Sequence, residues 1–154
     1  MIEEIKEIAE YALYKIDSYS DDALALVVRT GMAESGYRAL KGYGDGNPAI
    51  GFFQVEPATL NDMIDNYIKY RSKYEIALID LGMNFKDNLL ISVKSNIAVQ
   101  AALCRIHYRR DKQSIPSWTD IEAQGEYWKR TYNTPLGRGT VEHFIKANKE
   151  IGFN

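Results

Sequence analysis

The chain has 154 residues, 45% of them hydrophobic and 26% charged, with a formal net charge of −2, which suits one ordinary globular domain and argues against nucleic acid as a partner. No apolar run approaches the roughly 18 residues that a bilayer span needs, so membrane insertion is not expected. The single cysteine, Cys104, allows no internal disulfide, and stability must come from packing.

In chain order, Ile2, Ile5, Ala9, Ala12, Leu13 and Ile16 recur at helical spacing over residues 2–18. The opening Met1-Ile2-Glu3-Glu4-Ile5-Lys6 lacks the basic and apolar regions of a secretory signal, so work outside the membrane would require release or delivery by other means. Ser20 before Asp21 and Asp22 reads as an N-cap with an acidic first turn. The helix it opens carries Leu24, Val27, Val28, Gly31, Met32 and Ser35 on one stripe and stops at Gly36. From 37 to about 55 lies an irregular excursion of loops, turns or very short strands, dense in glycine around Lys41-Gly42-Tyr43-Gly44-Asp45-Gly46. A helix restarts near Pro57, and another covers about 72–81.

The segment 96–110 has Ile97, Ala101, Cys104 and Tyr108 on one stripe and Val99, Leu103 and Ile106 opposite, which marks a central, buried helix. Cys104 within it reads as a small buried hydrophobe. Arg105, Arg109, Arg110 and Lys112 read as the solvated, dipole-favoured end of that helix. Helices follow over about 119–131 and 140–150, separated by a turn over 132–139. The expectation is a single, mainly α domain over residues 1–154, with a small irregular β/loop excursion around 37–55. His107 and His143 show no metal-ligand spacing, and neither a metal nor a cofactor is expected.

For chemistry, Glu34 is the first candidate, although from position alone an ordinary surface glutamate at a helix edge explains it better. It falls in the last turn of its helix at the edge of the apolar stripe, where partial burial and the negative helix end both disfavour the carboxylate. A carboxyl kept protonated near neutral pH can donate a proton to a leaving glycosidic oxygen. Asp45 and Glu56 follow on the loop side, giving the acid-plus-carboxylate layout of a glycosidase. Each taken alone is as well explained as a turn former or, for Glu56 before Pro57, a helix cap.

Glu34-Ser35-Gly36, Gly51-Phe52-Phe53-Gln54-Val55-Glu56-Pro57-Ala58-Thr59, Asn96-Ile97 and Tyr132-Asn133 occur in an order that resembles lytic transglycosylases and goose-type lysozymes. The resemblance covers roughly residues 20–145 and implies a lysozyme-like α+β fold. It implies Glu34 as general acid, with Ser35 and Gln54 binding substrate or positioning groups around it. Tyr132 would aim its hydroxyl at the Glu34 carboxylate, and Asn133 would hold the turn or touch the sugar. Tyr43 and Phe53 would pack on pyranose rings, with Gly51 in the same substrate-binding strand, whereas Phe52 reads as core. Thr131 and Thr134-Pro135 depart from the family's small residues, implying a longer or stiffer turn near Tyr132.

The implied partner is a peptidoglycan glycan strand, cleaved at the MurNAc-GlcNAc β-1,4 bond by a monomer. Such an enzyme suits a phage lysis or virion-associated role. Gly42-Tyr43-Gly44-Asp45 and Gln54-Val55-Glu56 resemble the goose-type pattern, which implies inverting hydrolysis with Asp45 and Glu56 orienting water. The alternatives are a lytic transglycosylase forming 1,6-anhydro ends without a second carboxylate, a chitinase-like glycosidase, and a non-catalytic wall-binding or structural module. Under the wall-active readings, the basic cluster also offers contact with an anionic polymer.

Overall fold

Local signals punctuate the helices as their chemistry requires. The computed structural model of the chain describes residues 1–38 and 46–153, and its architecture is mainly α-helical. Helix α1 spans Ile2–Lys15 and ends before Asp17, which turns the chain with φ +52°. Helix α2, Asp21–Ser35, starts where the Ser20 hydroxyl accepts the Ala23 amide at 3.0 Å. It ends at Gly36, whose left-handed φ of +61° returns its N–H to the Met32 carbonyl, as the sequence predicts.

Pro57 opens α3, Pro57–Asn66, in the first turn, where a missing N–H costs nothing. A short 3₁₀ turn over Ile68–Tyr70 leads into α4, Ser72–Leu81, which matches its expected range. Helix α5, Leu89–Lys94, and the 3₁₀ turn have no counterpart in the sequence reading; both are too short to show a period. Helix α6, Ile97–Arg109, is capped by Asn96, whose side-chain oxygen accepts the Val99 amide at 3.0 Å. Helix α7, Ile121–Trp128, does not close into a turn at 132. It widens into a π-helical turn over Lys129–Asn133 before Thr134 reverses the chain with φ +72°. Helix α8, Val141–Asn148, is capped by the Thr140 hydroxyl.

Helix α6 is central, as its two apolar stripes predict: it packs against α1, α2, α4 and α5 and against the π turn. Its Val99, Ala101, Ala102, Leu103, Cys104, Ile106 and Tyr108 are all buried, and full burial of a large aliphatic side chain contributes about 1.5–3 kcal/mol. Cys104 behaves as the buried hydrophobe expected, its thiol pKa pushed up by burial. Tyr108 ties the interior together: its hydroxyl pairs with Thr30 of α2 at 2.7 Å, and its ring stacks on Tyr127 and Tyr132.

The basic end of α6 departs from its predicted solvated character at one position. Arg105 is only 8% exposed, with Nε donating to the Ser18 carbonyl at 2.9 Å. The 16–20 connection, which brings the Ser18 carbonyl to that position, overrides the local charge pattern. Among the described residues no helix is long and apolar enough to cross a membrane, and no cluster of His, Cys, Asp and Glu could hold a metal ion.

Candidate functional site

Within the 37–55 excursion, the described part has one antiparallel bridge. Ile50 and Val55 exchange both backbone hydrogen bonds, at 2.9 and 3.1 Å. Between them, residues 51–54 form a tight turn rather than a strand, flanked by two left-handed residues, Gly51 at φ +75° and Gln54 at +52°. A Cβ on Gly51 would sit 2.8 Å from Gln100 Oε1, so both the φ and the space call for glycine.

Three side chains from separate elements pin this turn. Gln100 of α6 accepts the Phe52 amide at 3.0 Å, Ser35 of α2 donates to the Phe52 carbonyl at 2.6 Å, and Tyr132 of the π turn donates to the Phe53 carbonyl at 2.6 Å. Gln100 is itself fixed, its amide nitrogen donating to the Val93 and Lys94 carbonyls. The turn is thereby held against Ser35, the residue next to Glu34.

The result is a cleft of about 560 Å³, lined by Glu34, Gln54, Glu56, His107, Tyr132 and Asn133 among others. Glu34 is mostly buried, and the Trp128 indole N–H donates to its Oε1 at 3.0 Å. Loss of hydration raises its pKa from 4.5 to about 7, against the opposing pull of the Trp128 hydrogen bond. A carboxyl that stays protonated to neutral pH at the wall of an open cleft is a proton donor.

Trp128 is in turn closely packed. It is 1% exposed, its ring lies 5.3 Å from that of Phe144, and a Cβ on Gly139 would come within 2.5 Å of it. From α8, His143 donates Nε2–H to the Ala33 carbonyl at 2.8 Å, fixing the last turn of α2 on which Glu34 stands.

Of the predicted site residues, Glu34, Phe53, Gln54, Glu56, Tyr132 and Asn133 come together around this cleft, while Ser35 and Gly51 lie behind it as supports. Tyr43 and Asp45 lie outside the described residues. Glu56 occupies the N-cap position of α3, but its exposed side chain makes no capping hydrogen bond. Gln54 donates from Nε2 to the Gly51 carbonyl at 2.9 Å, closing its own turn.

Two expectations are corrected. Phe53 is 2% exposed and meets Tyr37 edge to face, so it is core and offers no sugar platform; Phe52, partly buried, packs on the same Tyr37 ring. The Tyr132 hydroxyl goes to the Phe53 carbonyl rather than to Glu34, because the π turn carries it over the loop. The group on Glu34 is Trp128, one residue before that turn. Asn133 is the last residue of the π turn. Its Oδ1 accepts the Lys129 ammonium at 2.7 Å, and Lys129 also reaches the Gly137 carbonyl.

Trp128 and Gln100 are the residues that sequence reasoning missed. Signals for both exist: a buried indole needs an acceptor, and Trp128 shares a helix face with Tyr132 four residues on. A glutamine within a helix apolar on two sides likewise needs partners. No family model, curated protein or solved structure matches the chain.

Proposed function

We propose that the protein is a glycosidase that cleaves the MurNAc-GlcNAc β-1,4 bond of peptidoglycan by hydrolysis. The observation that carries this reading is Glu34, a carboxyl with its pKa raised to about 7, held by Trp128 at the wall of an open cleft. In this mechanism Glu34 protonates the glycosidic oxygen as the bond to C1 breaks and charge develops on the sugar ring. Glu56, exposed and without a capping hydrogen bond, activates water within the same cleft. The amides of Gln54 and Asn133 border the same space and supply polar contacts to the sugar. The order of the Glu34-Ser35, Gly51–Thr59, Asn96-Ile97 and Tyr132-Asn133 motifs, which resembles lytic transglycosylases and goose-type lysozymes, supports the substrate class.

The presence of Glu56 in the cleft favours hydrolysis over transglycosylation. Digestion of purified sacculi followed by mass spectrometry of the muropeptides tests this. Ordinary reducing ends are expected, with Glu56→Gln slowing their release by about 10²–10⁴-fold if it serves as general base. Products lighter by one water, released as fast by Glu56→Gln as by the wild type, would replace hydrolysis with intramolecular ring closure.

A further inference from the structure

Helix α6 borders two separate hollows. Gln100, Leu103, Cys104 and His107 face the Glu34 cleft, whereas Arg105, Tyr108 and Arg109 face a second pocket of about 380 Å³, completed by Asp22, Lys112 and Tyr127 among others. This second pocket has an unusual charge arrangement. Arg105, more than nine-tenths buried, donates Nε to the Ser18 carbonyl, and its two terminal nitrogens have no hydrogen-bond partner among the described residues. Arg109 follows one helical turn later, exposed, with Nε on the Tyr74 hydroxyl at 3.2 Å. Lys112 stands exposed beyond it.

None of these three cations forms an ion pair among the described residues. The carboxylates nearby are engaged elsewhere. Asp111 pairs with Arg130 and accepts the Gln113 amide, and Asp22 accepts the Trp118 amide at 2.8 Å. Three cations and two carboxylates, Asp22 and Asp111, line the pocket, and Asp111 is already paired with Arg130 from outside it. Burial and the neighbouring Arg109 charge both push the Arg105 pKa down. A buried cation without a counter-ion, and like charges four residues apart on one helix face, are each unfavourable. An incoming anion offsets both at once.

We propose that this pocket binds a phosphate group, with Arg105 as the buried anchor and Arg109 and Lys112 as the outer donors. The guanidinium fork matches phosphate oxygens in bidentate geometry. A phosphate also offers enough oxygens to meet all three donors, which a single carboxylate does not. The pocket is larger than one phosphate, leaving room for the group that carries it. The source is either inorganic phosphate or a phosphate monoester. The proposal is independent of the glycosidase reading, since it uses the other flank of α6.

Isothermal titration of the whole chain in phosphate-free buffer, at constant ionic strength, tests it with inorganic phosphate and with glycerol phosphate. Saturable binding is expected, undiminished in Glu34→Gln, weakened at least about tenfold in the surface double variant Arg109→Gln/Lys112→Gln, and lost in Arg105→Met. Because Arg105→Met also loses a buried hydrogen bond, the double variant is the deciding protein if Arg105→Met does not fold. Equal affinity for both probes identifies recognition of the phosphate alone, and tighter glycerol phosphate identifies a monoester. No heat beyond that of matched sodium chloride, wild-type affinity in the double variant, or loss of binding in Glu34→Gln would overturn it.

Discussion

Replacing Glu34 by glutamine removes a carboxyl that the fold keeps protonated up to about pH 7, and the consequence for stability follows from linkage. In the unfolded chain the carboxyl ionises near 4.5, and in the folded chain near 7. Below 4.5 it is protonated in both states and costs nothing. As pH rises from 4.5 through 7, the unfolded chain gains by ionising while the folded chain resists, so stability is lost across that window and levels off above it. The gap between the two pKa values amounts to about 3 kcal/mol. Glutamine keeps an acceptor for the Trp128 indole and has no charge to desolvate. Glu34→Gln is therefore expected to match the wild type within about 1 kcal/mol at about pH 4, and to exceed it by about 3 kcal/mol at about pH 8. In a chain of this size each kcal/mol moves the thermal midpoint by about 2–4 °C. Urea unfolding of both proteins at the two pH values reads the difference directly. A gap that does not grow with pH, or a variant less stable at the alkaline end, would refute the claim that burial holds this carboxyl neutral.

Trp128→Phe removes the hydrogen bond that favours the ionised form, worth about 1.5–3 kcal/mol to a charged group. The Glu34 pKa should then rise by about one to two units, read by carbon-13 NMR titration of the carboxyl, and the alkaline limb of any pH–rate profile should move up with it. Gly51→Ala forces a Cβ to within 2.8 Å of Gln100 Oε1 at φ +75°. It should cost about 1–3 kcal/mol in chemical denaturation and lower turnover by moving the turn that carries Gln54.

The helix ends were legible because their chemistry is local. Ser20, Gly36 and the Pro57 start each act within a turn of their own position. The burial of α6 followed from apolar residues on two faces. What escaped was set by tertiary contact. Neither the π-helical widening at Lys129–Asn133 nor its redirection of Tyr132 to the Phe53 carbonyl has a periodic signature. Arg105 read as solvated because its neighbours Arg109, Arg110 and Lys112 are charged, yet it is buried and bonded to the Ser18 carbonyl. At the site, the place of Glu34 at the end of an amphipathic helix fits an ordinary surface glutamate equally, and the carboxylates and motifs downstream singled it out. Its partner lies 94 residues away in sequence, beyond the reach of local pattern.

The most direct test of Glu34 as the catalytic acid is release of soluble muropeptides from purified sacculi at about pH 6, wild type against Glu34→Gln, with both confirmed folded. General acid catalysis predicts clear release by the wild type and a loss of about 10²–10⁴-fold in the variant. Equal release by the two proteins, or none from the folded wild type across several peptidoglycan types, would contradict the account.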